Sequence, residues 1–172
     1  MIWLALLLLL HPQQVPLQLE SQVKAAFLYN FAQYTEWPKT GSEKDGNFHF
    51  CVAGDGVTSA LQNTVRGETV NGRTPLVRTL EEGEDPQDCD VLFISEKQTA
   101  RRRNEVLNAV AKAPVLTVGE GQDFLQNGGI IRFLKSGNRI RFEINPDAAA
   151  RASLRFSSRL LRLAEISKSP GR

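Results

Sequence analysis

The stretch DCDVLFIS, Asp88–Ser95, holds the run that decides the fold. Val91–Ser95 is a short, continuous apolar run between polar neighbours, the pattern of a strand covered on both faces rather than one. Reading forward, Lys97–Lys112 has helical spacing, with Val106, Leu107 and Val110 on one face and Arg101–Arg103 on the other. Pro114 stops it, and Val115–Val118 reads as the next strand. Reading backward, the acidic Glu81–Gln87, with Pro86 inside it, is an exposed loop after a strand at Leu76–Leu80. Asn71-Gly72 marks a turn. Before it, Phe48–Ala53 reads as a buried strand, Gly54-Asp55-Gly56 as a turn, and Val57–Val65 as a helix with Leu61 and Val65 at i, i+4. Strands alternating with helices in this way imply parallel βαβ units, hence an α/β three-layer sandwich of Rossmann-like or flavodoxin-like type.

The pattern changes after Val118. Ile130–Leu134 and Arg139–Ile144 flank the polar Ser136-Gly137-Asn138, which reads as a β-hairpin. A final helix is expected from Pro146 to about Ile166, with Asn145 as its cap and proline at the first helical position. At the other end, AAFLYNFAQYTEWP (Ala25–Pro38) lies in a helix expected over Leu19–Glu36. Phe27, Leu28, Phe31, Tyr34 and Trp37 fall on one face of it, and large apolar side chains of this kind go inside. Trp37-Pro38 ends that helix, and a polar turn follows at Lys39–Asn47.

The chain has 172 residues and a net charge of +2, with both signs spread along it, which argues against a nucleic-acid binder. Ile2–Leu10 is an apolar run too short for a spanning helix of about 20 residues, and it fits the core of a secretory signal. No basic residue precedes that run and no clear cleavage site follows it, so an uncleaved anchor is the competing reading. The expected organisation is a signal peptide or N-terminal anchor over 1–18, one domain over 19–167 and a disordered tail over 168–172.

No catalytic constellation is present. His49 alternates with Phe48 and Phe50 without neighbouring ligands, zinc-type Cys/His spacing is absent, and no nucleophile or paired-carboxylate motif occurs. GDGVTS lacks the third glycine of a dinucleotide fingerprint and no P-loop lysine follows, so Gly54–Gly56 reads as a simple turn with Asp55 capping the next helix. Neither a cofactor nor a metal is expected, and the chain does not read as an enzyme. Arg151, Arg155, Arg159 and Arg162 recur at i, i+4, i+8 and i+11 on the expected final helix, and Arg132, Arg139 and Arg141 alternate along the hairpin. Such a stripe is either a solvated face or, if helix and hairpin pack together, a cationic surface for acidic groups of a partner or a small carboxylate.

AAFLYNFAQYTEWP, CVAGDG (Cys51–Gly56), VNGRTPLVR (Val70–Arg78), DCDVLFIS, GGIIRFL (Gly128–Leu134), RIRFEIN (Arg139–Asn145) and SSRLLRLA (Ser157–Ala164) together resemble the YfiR family, in order, from about Val23 to about Ile166. The resemblance implies a periplasmic protein, tethered to the membrane if the leader stays on, that represses a membrane-bound diguanylate cyclase by binding its periplasmic domain. It further implies release by an outer-membrane lipoprotein, and a homodimer. Cys51 and Cys89 match positions where the family has a bridge, and an even cysteine count in an exported protein points the same way; two buried free thiols are the alternative. A bridge would close a loop of about 38 residues, which stabilises by about 4 kcal/mol on the chain-entropy model. It would also set the strand of Cys51 beside that of Cys89, favouring the order 2-1-3-4. A second cysteine pair found in some members has no counterpart here. The reading from a different class is a small-ligand sensor, with its ligand at the carboxyl ends of the strands near Gly54, Ser95 and Gly119.

Overall fold

The computed structural model describes residues 15–38 and 45–166. In chain order its elements are α1 (Val15–Gln33), β1 (Thr35–Glu36), β2 (Asn47–Ala53), α2 (Thr58–Thr64), β3 (Thr74–Thr79), β4 (Val91–Ile94), α3 (Ala100–Val110), β5 (Leu116–Gly119), β6 (Ile131–Ser136), β7 (Arg139–Ile144), α4 (Pro146–Arg151), β8 (Arg155–Phe156), α5 (Ser158–Leu163) and β9 (Glu165–Ile166). Helix α1 starts inside the stretch assigned to the leader. The rest of that leader, the tail over 168–172 and most of the turn after Pro38 lie outside the described residues.

The main sheet has the order β3-β2-β4-β5-β6-β7-β9. Strands β3, β2, β4, β5 and β6 are mutually parallel, and β7 returns antiparallel to β6 with Ile131 opposite Ile144 and Ser136 opposite Arg139. The first four neighbours reproduce the expected order 2-1-3-4, and the hairpin extends the sheet as expected. Alternation along the strands divides the core between the two faces. Phe48, Phe50, Val52, Val91, Phe93, Leu116, Val118, Ile131 and Phe133 face α1, α2 and the C-terminal helices. Cys51, Ala53, Leu92 and Ile94 face α3 through Val106, Leu107 and Val110. These are the three layers of an α/β sandwich.

The aromatic face of α1 is core, as expected. Phe31 is fully buried, and its ring lies 5.8 Å from Phe133 and 4.8 Å from Phe142, with Phe27 packed beside all three. The helix ends earlier than Glu36. Thr35 turns its hydroxyl onto Phe31 O at 2.7 Å, and Thr35–Glu36 pairs with Arg155–Phe156 as β1 with β8. A β-branched residue with a local backbone acceptor favours this departure from the helix.

Two local features differ from what the sequence predicts. Asp55 does not cap α2; the position before that helix is Val57, and no side chain bonds the helix start. Pro86 is buried and opens a single 3₁₀ turn, Pro86–Asp88, capped by the carboxylate of Asp85, inside the loop read as exposed.

The C-terminal helix departs further from its expected form. Asn145 caps α4 through Ala148 N–H at 3.0 Å and Pro146 takes the first turn, as read from sequence. The helix then stops at Arg151 instead of running to Ile166. Ser153 adopts φ +57°, its N–H reaches Ala150 O, and Leu154 N–H reaches Ala149 O, the paired bonds of a Schellman ending with Leu154 tucked into the core. Arg155–Phe156 is then drawn off as β8, and Ser157 caps the separate helix α5 by accepting from Leu160 N–H. Neither Gly nor Pro announces the break; β1 supplies the competing partner.

A serine in the left-handed region carries a penalty that glycine lacks. Ser153→Gly is expected to stabilise the protein by about 0.5–1 kcal/mol, the relief exceeding the extra unfolded-state entropy of glycine. Urea unfolding of the two proteins side by side checks it, and a lowered midpoint would contradict the reading of this turn.

Candidate functional site

Doubly wound sheets bind ligands at the carboxyl ends of their strands, where the crossovers diverge. Here that point lies between β2 and β4, at Gly54 and Ser95. Ser95 is buried, donates its N–H to Ala53 O at 3.0 Å, and starts a turn that lays Gln98 against Gly54. A Cβ on Gly54 would come within 2.9 Å of Gln98 Nε2. At the neighbouring strand the buried ring of Phe124 is wedged between Gly119 and Gly129, so closely that a methyl group on either glycine would overlap it. All three positions to which the small-ligand reading pointed are filled by the chain's own side chains.

The same end of the sheet carries a charged cluster that the sequence reading did not single out. Lys24, buried on α1, pairs with Glu20 one turn earlier and with Glu120 just beyond β5. Glu20 also takes Lys135 of β6 at 3.0 Å, and Glu120 accepts from Glu96 N–H at 3.3 Å. Burial alone would push the Lys24 ammonium down, but the hydrogen bonds and charges of Glu120 and Glu20 outweigh it and hold its pKa above the ordinary 10.5. For Glu20, burial pushes up, and the bonds and charges of Lys24 and Lys135 outweigh that, holding the carboxyl below 4.5. The cluster latches α1 to the ends of β5 and β6. Only the Glu-to-Lys i, i+4 spacing was visible beforehand.

At the opposite, amino-terminal end, Arg73 grips Asp90 with both arms, at 2.9 and 3.0 Å, donates to Asn47 O, and lies 5.2 Å from the centre of the Phe48 ring. Asp90 also accepts from His49 N–H at 2.7 Å. This unit joins the starts of β2, β3 and β4. The bridge Cys51–Cys89 sits beside it in the α3-side core, with Cα atoms 5.8 Å apart and both residues buried. Arg78 of β3 stands 3.9 Å from Cys89 Sγ and pairs with Glu84 at 3.0 Å. The expected disulfide is thus present.

The arginines singled out from sequence fall in different layers. Arg132 is engaged within the fold, bonded to Glu143 at 3.0 Å and to Gln122 O at 2.8 Å. Arg139 and Arg141 are exposed, and they alternate with Ile140 and Phe142, whose side chains belong to the α1-side core. They therefore lie on the other face of the hairpin. Arg151, Arg155 and Arg159 are exposed on α4, β8 and α5, segments packed into the α1-side core, and Arg159 stacks 5.3 Å over Tyr34. The break at Ser153 removes the single helical face on which these three were expected to line up. His49 is partnered by Asp45 at 3.0 Å, and among the described residues no group of three metal-ligating side chains forms.

Removing the Lys24 charge while keeping its length leaves Glu120 without its cation and Glu20 with Lys135 alone, so Lys24→Met is expected to cost about 2 kcal/mol. Because the folded pKa of Glu20 is depressed and that of Lys24 raised, the latch is at full strength between roughly pH 5 and 10. It weakens as pH falls through the lowered Glu20 value or rises past the raised Lys24 value. Stability of both proteins measured from pH 3 to 8 checks this: the gap should hold at neutral pH and narrow below pH 4.5.

A family model described as YfiR/HmsC-like matches residues 21–165, nearly all of the described chain. The span takes in most of α1, the whole main sheet apart from its last residue, the bridge, the Arg73–Asp90 unit and the Lys24 cluster apart from Glu20. Such a family supports a periplasmic regulator of a diguanylate cyclase rather than an enzyme. Among the described residues no helix is long and apolar enough to cross a membrane. On the extent of this match, the chain belongs to the YfiR/HmsC-like family.

Proposed function

We propose that this protein is a periplasmic repressor: it binds the periplasmic domain of a membrane-bound diguanylate cyclase and lowers cyclic-di-GMP synthesis. The observation that carries the reading is the family match across residues 21–165. The packed strand ends favour surface recognition over a buried small ligand. Repression is then a population shift, in which the protein binds the inactive state of the cyclase more tightly than the active one. Arg139, Arg141, Arg151, Arg155 and Arg159 are the cationic contacts proposed for acidic groups of the partner. A homodimer, and release by an outer-membrane lipoprotein, belong to the same proposal.

The bridge gives this reading a redox arm. Cys51–Cys89 closes a 38-residue separation between two core positions, so its loss removes about 4 kcal/mol of stability. Reduction would then lower the folded fraction and release the cyclase.

Two experiments test the proposal. Membranes crosslinked before purification of the tagged protein should yield a membrane diguanylate cyclase, and deletion of the periplasmic domain of that cyclase should abolish recovery. Failure to recover any such enzyme with the bridge intact would overturn the repressor reading. Cys89→Ser should unfold at lower denaturant and raise cellular cyclic-di-GMP. Unchanged stability in oxidising buffer together with unchanged repression would remove the redox arm alone.

A further inference from the structure

Strand β3 is the outermost strand of the main sheet, paired with β2 on one side and with no described strand on the other. The register decides which of its backbone groups face outward. Val52 lies opposite Thr79, and Leu80 N–H donates to Val52 O at 2.9 Å. In a parallel ladder this places the N–H and C=O groups of Leu76, Arg78 and Leu80 towards β2, and those of Pro75, Val77 and Thr79 outward. Pro75, which has no N–H, therefore stands where a missing donor costs the existing ladder nothing. What faces outward is C=O of Pro75, N–H and C=O of Val77, and N–H and C=O of Thr79.

Beside this row, between α2 and β3, runs a groove of about 410 Å³ lined by Gln62, Val65, Arg66, Pro75 and Val77, among others. On the opposite face of the strand Leu76 is 44% exposed. The edge carries Pro75 at its start and the charged Arg78, whose guanidinium turns towards Cys89 and Glu84; no lysine stands on the strand.

We propose that the β3 edge takes up an extended polypeptide segment of the signalling partner as an additional strand, seating one apolar side chain in the α2–β3 groove. The inference rests on the partner-binding reading above and names the surface that does the binding. The chemistry of the row sets the occupant: neutral donors and acceptors at a two-residue repeat match an extended backbone and not a charged headgroup or metabolite. It also separates a foreign strand from a second copy of this one. Antiparallel self-pairing centred on Val77 sets Thr79 C=O against Pro75, which has no N–H to give, and does so twice in a two-fold pair. A segment without proline at that position satisfies the whole row.

Amide exchange, read by NMR on the intact, disulfide-bonded protein alone and with the purified periplasmic domain of the cyclase, tests this. In the free protein the amides of Val77 and Thr79 should exchange at least about tenfold faster than those of Arg78 and Leu80. On binding, the first two should slow by about tenfold or more, and Thr79→Pro should bind about tenfold more weakly with its bridge and melting temperature unchanged. If Thr79→Pro fails to fold, the exchange data decide alone. Binding of the cyclase domain without protection at Val77 and Thr79 overturns the edge proposal and leaves the repressor reading standing. No binding at all overturns both. Protection in the free protein also overturns it: if it grows with concentration, a second copy is the occupant, and if it does not, another part of this chain is.

Discussion

One guanidinium fixes how the strands of this protein can be arranged. Arg73 reaches from the start of β3 across the start of β2 to Asp90 at the start of β4, and bonds both carboxylate oxygens while its plane covers Phe48. Bidentate geometry tolerates little sliding, so the clamp specifies register as well as adjacency. The Asp90 backbone donates its N–H to His49 O and accepts from Leu116 N–H, and so carries the alignment on into β5. With β2 and β4 aligned in this way, Cys51 and Cys89 meet within bonding range.

The opposite end of the sheet has been turned from a cavity into a joint. Gln98 packs on Gly54, Phe124 sits between two glycines, and Lys24 lies among carboxylates, so the place where this architecture usually receives a small molecule holds α1 in position instead. Under the repressor proposal, what the protein offers a partner is its periphery: arginines on separate layers and a strand edge with no described neighbour. Recognition by such a surface suits a macromolecular partner better than a metabolite.

Much of this was legible in the sequence, for identifiable reasons. Val91–Ile94 is buried on both faces, so its apolar run has no competing interpretation, and the order of the first four parallel strands follows once the two cysteines are joined. The hairpin announced itself by a polar turn between alternating runs. The C-terminal segment was misread because its break depends on a partner more than a hundred residues away: Arg155–Phe156 leaves the helical path to pair with Thr35–Glu36, and nothing between Ala150 and Ser157 signals that locally. Once the helix was broken, the arginine stripe drawn on it lost its geometry. Arg73 and Asp90 were already inside the blocks that carried the family resemblance, but sequence alone does not show that they face each other. Lys24 was hidden because its nearest sequence partner, Glu20, explains only half of its environment.

The packing of α1 has a consequence for the order in which the protein is assembled. Chains are made from the amino end. The rings that receive Phe27 and Phe31 belong to Phe133 and Phe142, and the strand that receives Thr35–Glu36 begins at Arg155, so α1, synthesised before the other described helices, is among the last of them to find its place. Both cysteines and the strands that carry them exist well before those partners do. The central sheet can therefore be covalently closed while α1 still exposes its aromatic face, and the interval between the two events is when this chain most needs shielding from its neighbours.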